Sequence, residues 1–287
     1  MNEMNLSGTI SLLKKLNITP NKKLGQNFLV NDDVLKRIIQ EAELSSNDII
    51  LEIGAGLGVL TQELAKYSRE VHAYEIDSKL FQFLKKKFTK NANIFLYNED
   101  ILKIKPPLHD KIISNIPYTI TGRILEKFFF KQNAPIGVLI VEKSIADRIF
   151  NLNNYKTRSR ITIGFNAFLK PIKKFEIPNT SFYPKPNIEL SLIKFEPKKN
   201  INPFLVKEEG RKFFLRFVAE IMPYKNKSML NALQLFFKKI TNNKIEKLKF
   251  KDILNSINLR NKKVFEYNVN EFINLSNSLY DYLKNLN

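Results

Sequence analysis

The pentapeptide Ser114-Asn115-Ile116-Pro117-Tyr118 combines residue types that could hold and activate an exocyclic amine. Asn115 offers a side-chain carbonyl oxygen, and the Pro117 main-chain carbonyl offers a second acceptor. Two acceptors can engage both amine hydrogens. As these are drawn toward a tetrahedral arrangement, the nitrogen lone pair leaves conjugation with the ring and becomes nucleophilic. Tyr118 supplies an aromatic face for an unpaired base, worth about 1–3 kcal/mol, and Pro117 restricts the loop. In isolation the same residues also describe an ordinary Asn-Pro-type turn with a surface tyrosine. Their place directly after the short β-branched run Lys111–Ser114 favours a site.

A second constellation is Leu51-Glu52-Ile53-Gly54-Ala55-Gly56-Leu57-Gly58. Glycines between a strand and a helix let the main chain approach a ligand closely. A tight strand-to-helix turn would read the same way, but Glu75 stands 21 positions beyond Gly54, at the end of the next strand-like run. An acid there can accept hydrogen bonds from ribose hydroxyls, so the pair points to a nucleoside-containing cofactor. Asp100 follows the third such run and reads either as an acceptor for an adenine amino group or as a loop acid. A dinucleotide remains compatible with these residues alone.

The elements that must position these groups are legible as short apolar runs alternating with helical stretches. The pattern predicts strands at Asp48–Ile53, Glu70–Glu75, Asn93–Tyr97, Lys111–Ser114, Ile136–Val141, Ile172–Ile177 and Leu190–Phe195. Helices are expected near Leu57–Lys66 and Ser78–Phe88. Strands separated by helices imply crossover connections and a mainly parallel seven-stranded sheet in an α/β fold. After Pro197 a linker leads into a segment where Phe213, Phe214, Phe217 and Ile221, then Leu230, Leu233, Phe236 and Phe237, recur at helical spacing. The expected organisation is an N-terminal extension (1–22), an α/β domain (23–197) and a small C-terminal α-helical domain (203–287).

Composition narrows the chemistry further. The 287 residues contain no cysteine and two histidines, which excludes thiolate catalysis and cysteine-ligated metal, and we expect no metal. No run reaches the roughly 18 apolar residues of a membrane span, and no signal peptide is read at the start, so a cytoplasmic protein without a membrane partner is expected. The formal charge of +19 attracts polyanions, although lysine is abundant throughout the chain.

The motifs resemble the ribosomal RNA adenine N6-dimethyltransferases. Asn115-Ile116-Pro117-Tyr118 is similar to their N-[LI]-P-Y signature. Lys23–Leu29, Leu51–Leu64, Tyr74–Asp77, Asn98–Asp100, Glu142–Arg148 and Phe182–Pro186 match in the family's order, from about Lys22 to Phe195. The resemblance implies a Rossmann-like class I methyltransferase using S-adenosylmethionine. It implies Asn27 and Leu29 as cofactor contacts from a covering segment, and Gly54 and Gly56 as the cradle of the amino-acid end. Glu75 becomes the ribose acid, Asp100 the adenine acid, and Asn115 a contact of both cofactor and target amine. Asn115, Pro117 and Tyr118 become the catalytic loop, with Phe182 as a second face for the target base. Ala55 replaces a usual proline, Glu142 a glutamine, Asn187 a lysine, and Ile116 a frequent leucine; these departures loosen only the subfamily assignment. Gly25 before Gln26, with the helical C-terminal segment, is similar to the small-subunit branch.

Basic clusters lie at Lys85–Lys87, Lys156-Thr157-Arg158-Ser159-Arg160, Lys170–Lys174 and Arg260–Lys263. Arg148, Arg158 and Arg160 are the expected phosphate contacts, which would position RNA without reading its sequence. The implied substrate is a pair of adjacent adenosines near the 3′ end of small-subunit rRNA in an assembling ribosomal subunit, met by a monomeric enzyme. The rivals are a large-subunit adenine methyltransferase, an assembly or RNA-binding factor with little turnover, and a nicotinamide dehydrogenase.

Overall fold

The structure is a computed structural model that describes residues 5–151, 158–241 and 247–285. Its first compact unit comprises residues 1–128, 135–147 and 171–196; the second comprises 129–134, 148–170 and 197–287. The units therefore do not follow a single cut in the chain. Residues 148–170 cluster with the helical C-terminal segment because α7 (Arg160–Phe168) carries a face of apolar side chains, including Ile163, Phe165 and Phe168, that needs a helical core.

In the first unit, α1 (Leu6–Lys15) is capped by Asn5. It buries Leu13 in a small cluster with Ile18, Phe28, Leu57 and Leu80. The strand pair β1 (Phe28–Leu29) and β8 (Phe182–Tyr183) is antiparallel, with Leu29 opposite Phe182. Next come α2 (Asp32–Ala42), capped by Asn31, and then β2 (Ile49–Ile53), α3 (Val59–Tyr67), β3 (Glu70–Tyr74), α4 (Ser78–Lys87), β4 (Ile94–Tyr97) and β5 (Lys111–Asn115). The helix α5 (Thr121–Ile124) runs into a π-helical turn at Leu125–Phe129. The strands β6 (Ile136–Glu142), β7 (Leu169–Ile177) and β9 (Leu190–Pro197), with α6 (Lys143–Phe150) after β6, complete the sheet.

The seven-stranded sheet has the order β4-β3-β2-β5-β6-β9-β7, with β2 to β6 parallel and β9 antiparallel to β6. After β4 the chain crosses to the other side of β2, so a topological switch lies between the carboxyl ends of β2 and β5. Open parallel sheets bind ligands at such a crevice. The register sets which residues reach it: Ile53 pairs Tyr74, and Tyr74 pairs Tyr97. The Gly54 N–H then donates to the Tyr74 carbonyl (2.8 Å), and the Glu75 N–H to the Tyr97 carbonyl (2.9 Å). Residues following three strands thus share one rim.

The core holds the sheet from one side through Val34, Leu35, Ile38, Ile50, Leu64, Val71, Ala73 and Leu84, all nearly inaccessible. Each such large side chain contributes about 1.5–3 kcal/mol on burial. Gly58 (φ +74°) ends the glycine turn; a Cβ there would lie 2.7 Å from Leu84 and Phe88 ring or methyl carbons, so only glycine lets α4 pack. The helical unit contains α8 (Pro203–Val206), α9 (Glu208–Ile221), α10 (Met229–Thr241), α11 (Lys247–Ser256) and α12 (Val269–Lys284). Its core is aromatic, with Phe214, Phe217, Phe236, Phe237, Phe250, Tyr267 and Phe272 fully buried. Among the described residues no helix is long and apolar enough to cross a membrane.

Candidate active site

A cleft of about 680 Å³, mouth included, opens at the switch point and is lined by Gly25, Asn27, Gly54, Gly56, Glu75, Asp100, Asn115 and Pro117. The structure therefore brings together the glycine turn, both acids and the Asn115–Tyr118 loop. Leu29 lines a smaller adjoining chamber of about 440 Å³, which shares Asn27, Gly54, Gly56 and Asn115 with the main cleft.

Asn115 is the last residue of β5. Its Nδ2 donates to the Asn27 carbonyl at 3.0 Å, which fixes the amide with Oδ1 turned the other way. That Oδ1 is buried and has no hydrogen-bond partner among the described residues. An unpaired buried acceptor costs roughly 1–3 kcal/mol, so its persistence at the cleft marks a place where a donor belongs. The Pro117 carbonyl accepts the Ile120 N–H at 3.0 Å and keeps its second lone pair. Gly25 approaches closely; a Cβ on it would stand 3.2 Å from Pro117 Cβ. The Tyr118 ring is partly buried against the core. Its hydroxyl has no partner among the described residues, and burial pushes the phenol well up, so it stays neutral.

Glu75 is buried, and its carboxylate accepts the Gly56 N–H (2.8 Å) and the Asp77 N–H (2.9 Å). These bonds orient both oxygens while leaving lone pairs for a ligand. Burial pushes this carboxyl up, opposed by the two main-chain donors. Gly54 (φ +82°) and Gly56 (φ +58°) occupy left-handed conformations that leave bare main chain at the cleft. Asp100 accepts the Leu102 N–H through Oδ1 at 3.0 Å. The site's residues fit a nucleoside-bearing methyl donor: two acids, bare glycine main chain and an orphaned amide oxygen line one cleft.

Two residues to which the sequence reading gave no role also line these chambers. Gln26 bridges the covering segment, its Nε2 donating to Asp77 at 2.9 Å and its Oε1 accepting the Asn21 N–H at 2.8 Å. Glu52, on β2, is 1% exposed and lines the smaller chamber. Burial pushes its carboxyl up to about 8, and Oε2 has no partner among the described residues. The acid in the Leu-Glu-Ile run was the available signal.

Other expected site residues are placed differently. Phe182 is 2% exposed and belongs to the core cluster with Leu29, because the β1–β8 pairing carries it inward. Arg158 donates from Nη1 to the Phe265 carbonyl (3.3 Å) and the Tyr267 carbonyl (2.8 Å), which braces the helical unit. Arg160 is exposed at the start of α7, and Arg148 is half-buried on α6. Lys156 and Thr157 lie outside the described residues. Many cations of the basic clusters are also engaged: Lys87 with the Leu57 carbonyl, Lys173 with Glu41, Lys174 with Asp147 and Lys262 with Glu271.

Strand order, glycine turn and amine-holding loop together define a Rossmann-like methyltransferase. The sequence profile described as "Ribosomal RNA adenine dimethylase" matches residues 17–276, and the chain belongs to that family. It is 34% identical over 265 residues to the "Probable ribosomal RNA small subunit methyltransferase A" of Thermococcus sibiricus, covering 92% of this chain and 94% of the relative. Identity to the "Ribosomal RNA small subunit methyltransferase A" of Listeria monocytogenes is 30% over 289 residues, 96% of each chain. In three dimensions the fold is similar to a dimethyladenosine transferase from Plasmodium falciparum, with TM-score 0.70 and 23% identity over 90% of this chain and 98% of that one.

Proposed function

We propose that the chain transfers methyl groups from S-adenosylmethionine to N6 of two adjacent adenosines near the 3′ end of small-subunit (16S) rRNA, giving N6-dimethyladenosines. The unpartnered, amide-fixed Oδ1 of Asn115 at the switch-point cleft carries this reading, and the curated small-subunit relatives support the choice of RNA. Gly54, Gly56, Glu75 and Asp100 would hold the donor, with Asn27 and Leu29 contributing from the covering segment. When bound, the donor supplies an electrophilic methyl carbon.

The protein's own part is positional. Asn115 Oδ1 and the Pro117 carbonyl accept the two hydrogens of the target amine and draw its lone pair out of conjugation. The Tyr118 ring supports the base from one face. Fixing the amine in line with the donor converts a bimolecular encounter into an oriented one, which can supply about 7–11 kcal/mol of the barrier. The RNA would be met in an assembling ribosomal subunit by a monomeric, cytoplasmic enzyme, with Arg148 and Arg160 among the phosphate contacts. The test is incubation with purified small and large ribosomal subunits and labelled donor, followed by nuclease digestion and mass spectrometry. N6-dimethyladenosine confined to the small-subunit RNA is expected. Label confined to the large subunit, or absent from both, would overturn the proposal.

A further inference from the structure

The turn that carries Asp100 leaves β4 and reaches β5 with no strand or helix assigned between Asn98 and Asp110. Its local bonds are few. Leu102 N–H donates to Asp100 Oδ1 (3.0 Å), Lys103 N–H donates to the Asp100 carbonyl (2.8 Å), and the exposed Lys103 ammonium is 3.9 Å from Oδ2. A cross-link comes from elsewhere in the chain. Lys127, in the π-helical turn Leu125–Phe129, donates its Nζ to the Ile101 carbonyl (2.9 Å) and the Ile104 carbonyl (2.5 Å). Ile101 is 4% exposed and lines the cleft beside Asp100. Burial pushes the Lys127 ammonium down while the Asp100 charge pushes it up. The segment bearing Lys127 continues from the Asn115–Tyr118 loop through α5, and π-helical turns recur at functional sites.

We infer that Lys127 is a positioning residue that sets the adenine-reading turn at Asp100 and ties it to the target-amine loop. The inference rests on the proposed reading of Asp100 as the acid facing the donor's adenine. An ammonium bonded to the Ile101 and Ile104 carbonyls fixes both ends of a four-residue turn relative to the rim. Discrimination for the exocyclic amine of adenine then depends on Lys127, although Lys127 need not touch the ligand.

The experiment compares binding of S-adenosylhomocysteine and S-inosylhomocysteine by calorimetry to the full chain and to Lys127→Met. Loss of the clamp should weaken the adenosyl ligand by about 10-fold, the scale of one hydrogen bond to a charged group, and the inosyl ligand far less, so the preference collapses. Lys127→Arg, which keeps two donors, should restore the preference. Equal weakening of both ligands, or no weakening, would overturn the inference, since a general loss of structure would not select between them. If Lys127→Met does not fold, Lys127→Leu carries the same comparison. Asp100→Ala separates the two layers. If that variant keeps the full preference, the reading of Asp100 fails; if it loses the preference while Lys127→Met keeps it, only the role of Lys127 fails.

Discussion

The sheet rim and the arginine-bearing helical segment handle polar groups in opposite ways. At the rim, Glu75 and Asn115 are oriented by main-chain partners and keep acceptor capacity that the fold itself does not consume. In the helical unit, Arg158 directs its guanidinium to the carbonyls of Phe265 and Tyr267, and Lys262 pairs with Glu271. The rim keeps acceptors ready, whereas Arg158 and Lys262 spend their charge inside the fold. A formal charge of +19 therefore overstates the cations available to a polyanion, and spare capacity is a better guide to function than charge.

The strongest challenge to this contrast is Asn115→Ala. Removing the held acceptor should lower methyl transfer by about 10²–10³-fold, the scale of one preorganised donor or acceptor in an active site, while donor binding changes far less. Equal losses in turnover and donor affinity would show that the rim does not separate the two tasks. Glu75→Ala should act on binding instead, raising the donor dissociation constant by about 10–100-fold, as expected for hydrogen bonds to a charged group; an unchanged constant would remove its ribose role.

Glu52 sharpens the comparison through pH. Its folded-state pKa of about 8 lies above its ordinary value of 4.5. The stabilisation associated with the neutral form is thus complete below the ordinary value, declines as the unfolded chain ionises, and is lost as pH rises through about 8. Glu52→Gln stays neutral and should flatten this decline. Thermal melts across that window should show the variant gaining on the parent by several degrees, and parallel curves would deny a buried, protonated acid. Arg158→Ala should lower the melting temperature by a few degrees with RNA affinity nearly intact. Arg160→Ala should reduce the salt slope of RNA binding by about 1. Exchange of those two phenotypes would invert the contrast between bracing and binding.

The rim was legible because its logic is local. Gly54, Gly56 and Glu75 follow strands whose β-branched runs announce themselves, and the parallel register converts their spacing into proximity. The seven strands were readable for the same reason, with ends displaced by a residue or a few. The β1–β8 pair was not, because two-residue strands carry no periodic signal and their partners are distant in sequence. The burial of Phe182 beside Leu29 was consequently not legible. The bonds of Arg158 were not legible because its acceptors are main-chain carbonyls, which every residue possesses. Glu52 showed its acid in the sequence but not its burial, which depends on the sheet around it.

The shared ladder of β2, β3 and β4 has a consequence for how the gene can change length. Gly54, the Glu75 amide and the Asn98 side chain hang on successive rungs, the last through its bond to the Glu75 carbonyl at 2.8 Å. An added or deleted residue inside β3 would shift the rung by about 3.3 Å and turn each following side chain to the opposite face. Insertions and deletions should accordingly be tolerated at the amino-terminal ends of these strands, around Tyr67–Arg69 or Thr89–Asn91, and rejected within them.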